Sequence, residues 1–256
     1  MTERVFDRRK FLLAGAVAGT TAAAAKVIHD GELGAPPKTI TGAMPWTEGA
    51  ADSPPAATDG TAYVFFAGPE AAFVEAAVDR LIPADPVGPG AVEAGVPTFI
   101  DRQLAGPYGR GDHFFLGGPW PVGTVEQGYQ SRYSPAQLYR AAVPAIDAYV
   151  AAKYKAQTFA GLAVGDRDTV LKALESGAAA LGNGVNAKMF FAMLLQNTKE
   201  GYFSDPIYGG NRDMAAWKMI GFPGARYDYR EWVGRHGEPF PNPPVAFKGR
   251  PAWRAV

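Results

Sequence analysis

The side chains that could do chemistry in this chain are few and widely spaced. There is no cysteine, so the chain can form no disulfide, no thiolate-held iron–sulfur cluster and no c-type haem, which needs a CxxCH motif. The three histidines, His29, His113 and His236, are too scattered to predict a metal site. His113, between Asp112 and Phe114, is a candidate proton shuttle or haem ligand, although a single loop histidine is more often structural. We therefore expect this chain to bind no metal and to hold no cofactor of its own.

Charged pairs along the chain have simpler explanations than acid–base catalysis. Asp166 and Asp168 open a predicted helix, where the positive end of the helix dipole favours negative charge. Four further charged residues are expected on the solvent face of the first helix: Glu70, Glu75, Asp79 and Arg80. The sequence has no GxSxG, HExxH or P-loop motif. No catalytic residue is predicted.

Residues 182–187 match the GxGxxA fingerprint of dinucleotide-binding proteins. That fingerprint follows a β-strand in a βαβ unit, whereas here it follows three alanines and a leucine. We interpret it as a glycine-rich connection between helices.

Hydrophobic spacing predicts a mainly α protein, an irregular single helical domain with long loops rich in glycine, proline and aromatic residues. Ser134 and Gln137 form a capping box before one helix, and Asp166 is the predicted cap of the next. Tyr63–Phe66 is the one convincing strand-like run, and residues 106–133 form a long irregular loop of the kind that often carries function. The predicted helices are Pro69–Ile82, Pro97–Leu104, the one beginning after Ser134, Asp166–Gly177, Ala187–Glu200 with Gly201 as its C′ residue, and a short one holding Trp217.

Residues 1–25 are typical of an export signal. Arg8 and Arg9 precede Phe11, Leu12 and an uncharged run that ends at Ala25. A twin arginine before a mildly apolar run predicts a Tat signal, which exports folded proteins. The run is shorter than the ~20 residues of a membrane span, and the alanines at its end offer several cleavage positions. An ordinary Sec signal is the alternative, and both predict export from a bacterial cytoplasm to the periplasm.

The composition after the signal argues against nucleic-acid binding. Removing residues 1–25 takes four basic and two acidic residues from the 25 of each, which leaves a net charge of −2. Nucleic-acid binding depends on clustered lysine and arginine, and a polybasic membrane patch needs the same residues. We expect an extended linker over residues 26–60, one helical domain over 61–224 and a tail over 225–256. The tail is rich in proline, arginine and aromatic residues, which suits either ordering on a partner surface or folding back onto the domain.

Residues 201–224 form the second dense signal. Paired glycines permit close backbone approach, Asn211 is a candidate cap for the short helix, and Gly221–Gly224 would end that helix sharply. The cluster is either an elaborate core turn or a partner surface, and both interpretations stay open. The candidate interface residues are Tyr208, Gly209, Gly210, Asn211, Trp217, Gly221, Phe222, Pro223 and Gly224.

Two separated segments carry a family resemblance. RLIPAD followed by GPGAVEAGVPTFID, within residues 80–101, and GYFSDPIYGGNRDMAAWKMIGFPG, at residues 201–224, resemble the gluconate 2-dehydrogenase subunit 3 family. The helix start from Ser134 and Pro135 to Tyr139 also fits that family's layout. The resemblance covers the chain from about Tyr63 to Gly224.

The resemblance implies a small, non-catalytic subunit of a membrane-associated dehydrogenase that acts on a sugar, sugar acid or polyol in the periplasm. In such complexes a large FAD-dependent subunit of the glucose–methanol–choline type does the oxidation, and a cytochrome c subunit commonly takes the electrons on its haem groups. The small subunit is needed for maturation and supplies the signal by which the Tat translocase exports the folded pair. The complex would hold the chain at the inner membrane. Alternatives are a free-standing periplasmic enzyme, a b-haem protein using His113 or His236, and a small-ligand binding module.

Overall fold

Local sequence signals set most of the helix boundaries in the structure. The computed structural model describes residues 62–114, 116–121, 124, 127–155, 158–226 and 229–247. The predicted export signal, the predicted linker and His29 lie outside the described residues. No β-strand occurs within those ranges, which confirms the mainly α prediction. Numbered in chain order, the α-helices are α1 (Gly68–Leu81), α2 (Val96–Ala105), α3 (Pro107–Arg110), α4 (Pro135–Lys153), α5 (Val164–Ser176), α6 (Ala187–Phe203) and α7 (Ala215–Ile220).

The capping box before α4 is confirmed. The Ser134 hydroxyl accepts from the Gln137 backbone N–H at 3.3 Å, and the Gln137 side chain accepts from the Ser134 N–H at 2.9 Å. Asn186, the last polar residue of the GxGxxA-like segment, accepts from the Met189 N–H at 2.9 Å and so caps α6. Residues 182–186 are therefore a helix connection, as interpreted from the sequence.

Two predicted helix ends are wrong. The helix α5 begins at Val164, so Asp166 lies within its first turn and is not its cap. The helix α6 continues through Gly201 to Phe203, and its C-cap is Ser204. Gly201 lies inside α6 because the Phe99 ring of α2 packs against its Cα, so tertiary packing explains this glycine better than helix termination does.

Tyr63–Phe66 is not a strand, because a side chain satisfies its backbone donors. The buried Asp101 carboxylate accepts from the N–H groups of Val64, Phe65 and Phe66 at 2.8, 2.9 and 2.8 Å. In a β-sheet these N–H groups would instead donate to the carbonyl oxygens of a neighbouring strand. Asp101 thus fixes the path of the chain before α1.

The prediction of a solvated face for α1 is also wrong. The Glu70 carboxylate accepts from the Ala67 N–H at 2.8 Å and pairs with Arg140 of α4. The Glu75 carboxylate accepts from the Tyr63 hydroxyl at 2.5 Å. Burial and this bond to Glu75 both raise the pKa of Tyr63. Charged residues of α1 therefore hold neighbouring segments in place.

An ion pair joins α1 to α5. The Arg80 guanidinium binds the Asp168 carboxylate with an N–O distance of 2.8 Å. The hydrogen bond from Arg80 lowers the pKa of Asp168 below its usual range. Asp79, the remaining one of the four residues predicted on the solvent face of α1, is half-buried. Of the two aspartates at the start of α5, Asp168 is accordingly part of the helix packing, and Asp166 lies in the first turn.

The core forms around α6, which contacts α1, α2, α4, α5 and α7. Four aromatic rings lie at its centre: Phe73 of α1 contacts Phe159 and Phe190, with centroid distances of 4.9 and 6.0 Å, and Tyr139 of α4 meets Phe190 at 5.2 Å. A smaller cluster consists of Met214, Trp217 and Ala246. All described residues belong to one unit, residues 48–256. No described helix is long and apolar enough to cross a membrane.

The described part of the tail, residues 225–226 and 229–247, folds back onto the domain. The Val245 N–H donates to the Pro223 carbonyl at 3.3 Å, and Ala246 is buried. The Phe247 N–H donates to the Asp205 carboxylate at 2.8 Å. Of the two alternatives drawn from composition, folding back is the one observed here.

Candidate functional site

The two segments that carry the resemblance lie against each other. A Cβ on Gly95, at the start of α2, would lie 2.6 Å from the Gly209 carbonyl oxygen. The Arg212 N–H donates to the Ala94 carbonyl at 3.0 Å. Gly209 itself packs on the Arg102 side chain. Residues 80–101 and 201–224, more than 100 positions apart, therefore form one interlocked unit.

Glycine is required in this unit because backbones touch. A Cβ on Gly210 would lie 2.0 Å from the Gly201 carbonyl oxygen, and a Cβ on Gly201 would lie 2.8 Å from the Phe99 ring. A side chain at Gly210 would push its turn away from α6, and one at Gly201 would push the Phe99 ring of α2 away from α6. These glycines are explained by internal packing.

Tyr202 and Met219 hold the turn before α2. The Tyr202 hydroxyl donates to the Pro89 carbonyl at 2.7 Å, and burial, with the charge of Asp85, raises its pKa. The Met219 sulfur lies 3.0 Å from where a Cβ on Gly88 would stand. The loop from Pro83 to Gly90 is thus part of the same unit.

Asn211 bonds the first turn of α7 from outside the N-cap position predicted for it, which Met214 occupies instead. Its side chain is fully buried; its amide nitrogen donates to the Ser204 carbonyl and its oxygen accepts from the Ala216 N–H, each at 2.9 Å. Asn211 and Met214 have φ of +45° and +54°. Asparagine tolerates this region, whereas methionine is strained there, so the buried position of Met214 must hold the turn.

Trp217 is a packing residue. Its indole N–H donates to the Phe203 carbonyl at 2.8 Å, and its ring meets the Phe222 ring edge to face at 5.1 Å. It lies in the small cluster with Met214 and Ala246. The indole therefore joins the end of α6, α7 and the tail.

The nine candidate interface residues divide by exposure. Gly210, Asn211, Trp217 and Gly224 are buried, Gly209 and Pro223 are half-buried, and Tyr208, Gly221 and Phe222 are exposed. For the buried residues the structure gives an internal role. Direct contact with a partner stays a prediction, and the residues best placed for it are the exposed Tyr208, Gly221 and Phe222.

Sequence reasoning missed several exposed apolar residues beside Phe222. Phe203, Met219, Ile220 and Phe247 are all exposed. Met219 and Ile220 end a helix of six residues, too short for a periodic pattern to separate its inner face from its outer face. The exposure of Phe247 depends on the return of the tail, which composition left open.

The histidines that could support another chemistry are exposed. His113 and His236 both lie at the surface, and Asp112 beside His113 is paired with Arg110 at 2.6 Å. Within the described ranges, no group of three or more acidic or histidine residues could hold a metal ion.

A surface cavity of about 580 Å³ lies on the first turns of α4. Its two arginines are engaged within the chain: Arg140 with Glu70 and the Phe65 carbonyl, Arg132 with the Tyr133 hydroxyl and the Asn183 carbonyl. The cavity is separate from the interlocked unit, since it has no lining residue from that unit.

Comparison with known proteins gives one family. The family model described as Gluconate 2-dehydrogenase subunit 3 matches residues 69–224, more than half of the chain. The match runs from the second residue of α1 to Gly224. It therefore contains both interlocked segments, residues 80–101 and 201–224, in full. A comparison with curated proteins found no match, and a comparison with solved structures found none either.

Proposed function

The chain belongs to the gluconate 2-dehydrogenase subunit 3 family and is an accessory subunit of a dehydrogenase complex, and we propose that it accompanies an FAD-dependent large subunit to the periplasm. The observation that carries this proposal is the family match over residues 69–224. The matched region holds both interlocked segments, where backbone carbonyls approach Gly95 and Gly210 too closely to admit a side chain.

The proposed division of labour places the redox chemistry on other chains. The large subunit, of the glucose–methanol–choline type, binds FAD and oxidises a sugar, sugar acid or polyol. A cytochrome c subunit takes the electrons. The small subunit contributes no cofactor, matures the large subunit, and holds it in the complex at the inner membrane.

Export is the second part of the proposal. Arg8 and Arg9 precede an uncharged apolar run, the pattern of a Tat signal. A flavoprotein binds FAD in the cytoplasm and must cross the membrane folded. A signal on the small subunit would therefore serve both chains.

An affinity pull-down of the full chain from its native host tests the proposal. Membrane and periplasmic fractions would be prepared, and flavin fluorescence and haem staining would identify what copurifies. We expect a stoichiometric large flavoprotein. Recovery of this chain alone would contradict the proposal.

The export step has its own test. In the double variant Arg8→Lys, Arg9→Lys we expect both this chain and the flavoprotein to remain in the cytoplasm. The matched control is Arg4→Lys, which makes the same change outside the arginine pair. Normal export of the flavoprotein in the double variant would contradict shared transport while leaving the complex itself intact.

A further inference from the structure

Five exposed apolar side chains lie on the segments that meet at the buried Trp217, and we call them the motif patch. Relative to full exposure, Ile220 is 57% exposed and Phe247 72% exposed. The other members are Phe203, Met219 and Phe222, at 41%, 37% and 43%.

The members of the motif patch belong to three segments that meet at one buried centre: the end of α6, α7 with the turn after it, and the tail. Trp217 donates to the Phe203 carbonyl through its indole, accepts from the Phe222 N–H at 2.8 Å through its own carbonyl, and packs against the Phe222 ring. Ala246 lies in the cluster of Trp217, and Phe247 follows it directly. Met219 and Ile220 are the next turn of α7.

Folding of the domain accounts for Met219, whose sulfur packs against Gly88, but not for the exposure of the other four. Among the six residues of α7, Ala216 and Trp217 are buried and the last three are exposed, and of those three Lys218 alone is charged. The outer face of a surface helix is normally polar. A large apolar side chain covers on the order of 200 Å², and the exposed fractions of the five sum to about two and a half side chains, so their exposed area is on the order of 500 Å². The largest apolar patch on a typical monomer is ~300–600 Å² and is often functional.

We propose that the motif patch is the apolar centre of the interface with the large dehydrogenase subunit. This inference rests on the proposed function. The partner surface it fits is apolar and uncharged, because burying a carboxylate or ammonium against these rings without a partner would be costly.

The area favours a larger partner over a second copy of this chain. Two copies that met through the patch would bury on the order of 1,000 Å² in total, below the ~1,200–2,000 Å² of stable interfaces. A larger subunit can also cover the polar rim around the patch, which includes Lys218. Interfaces of that kind have an apolar centre and a polar rim.

The test is one matched pair of charge insertions in the full chain, each coexpressed with the flavoprotein that copurifies with the natural chain. Ile220→Lys places an ammonium in the motif patch, at a helix C-terminus that tolerates positive charge. Val64→Lys makes the same kind of change at an exposed apolar residue in another segment, before α1. We expect Ile220→Lys, and independently Phe247→Lys, to weaken the complex at least tenfold. Val64→Lys should bind like the natural chain, and circular dichroism melting curves would show that all variants are folded.

The outcomes separate the two proposals. If the natural chain binds no flavoprotein, both the proposed function and this inference fail. If it binds one and both patch variants bind equally well, the inference alone is overturned. It is also overturned if sedimentation shows the natural chain to be a dimer that Ile220→Lys dissociates, since the patch would then be a self-interface.

Discussion

Asp101 acts on the path of the chain through a single buried carboxylate. It accepts three consecutive backbone N–H groups, at 2.8–2.9 Å, from residues 64–66. Hydrogen bonds to charged groups contribute more than neutral ones. Its position on α2, within the first interlocked segment, means that the same segment holds both residues 201–224 and the start of the domain.

Asp101→Asn should therefore destabilise the protein by about 2–3 kcal/mol. Asparagine keeps one accepting oxygen, but its amide NH₂ would face the Val64 N–H and leave that donor unpaired. Urea unfolding monitored by circular dichroism measures the loss. Asp112→Asn, at an exposed position, is the control, and equal unfolding midpoints for the two variants would contradict the prediction.

Tyr108 sets an alkaline limit on stability. Its hydroxyl donates to the Asn197 side chain at 2.9 Å, and Asn197 donates to the Tyr139 hydroxyl at 3.0 Å. Burial raises the pKa of Tyr108 to about 12, although the bond to Asn197 opposes the shift. Burial also raises the pKa of Tyr139.

Because the folded pKa of Tyr108 lies above the ~10 of an unfolded tyrosine, its contribution is fully present below pH 10 and is lost as the pH rises towards 12. The free energy of unfolding should thus fall above pH 10, and less steeply in Tyr108→Phe. Unfolding at a series of pH values, with phenolate absorbance at 295 nm, would test this. Tyr208→Phe, at an exposed position, is the control; the same slope in Tyr108→Phe and the natural chain would refute the assignment.

At the scale of elements, packing requires one helical glycine and leaves another unconstrained. Gly201 lies inside α6, and a Cβ there would meet the Phe99 ring at 2.8 Å. Gly165 lies in the first turn of α5, and a Cβ there would have no neighbour within 4 Å. Helix propensity favours alanine at both, so packing alone distinguishes them.

Gly201→Ala should destabilise the protein by about 1–3 kcal/mol through overpacking, whereas Gly165→Ala should be neutral or stabilise it by up to about 1 kcal/mol. Thermal unfolding of the two variants measures the difference. Phe99→Leu combined with Gly201→Ala should recover part of the loss, because it removes the ring that the new methyl group meets. Two variants of equal stability would show that α2 can move away from α6 without cost.

At the scale of the whole molecule, the tail and α7 form a region less well supported than the core. Their cluster contains three buried residues, Met214, Trp217 and Ala246. The main cluster draws chiefly on α1, α2, α4, α5 and α6, and Ala216 is the one residue of α7 in it. Regions with few buried apolar contacts open at lower free energy than the global unfolding. The motif patch lies on this region.

Amide hydrogen exchange should therefore be faster at Ala225, Val245 and Phe247 than at Leu194 of α6, although all four N–H groups are bonded. Asp205→Ala removes the acceptor of the Phe247 N–H and should speed its exchange at least tenfold with Leu194 unchanged. Uniform protection across these positions would instead place the tail in the same cooperative unit as the core. Binding of the flavoprotein should slow exchange in the tail.

The sequence alone determined the class of fold, most helices and the family. Helical periodicity, the Ser134 capping box and glycine or proline at helix ends are local signals, and they depend on neighbours within a few residues. The two family segments were also readable as sequence. The tertiary structure decided what local signals cannot carry: that Asp101 takes the place of a β-ladder, that Gly201 lies inside a helix, and that residues 80–101 interlock with 201–224. It also divided the candidate interface into buried Asn211 and Trp217 and exposed Phe222, because exposure depends on which segments pack over each side chain, such as the tail residue Ala246 beside Trp217.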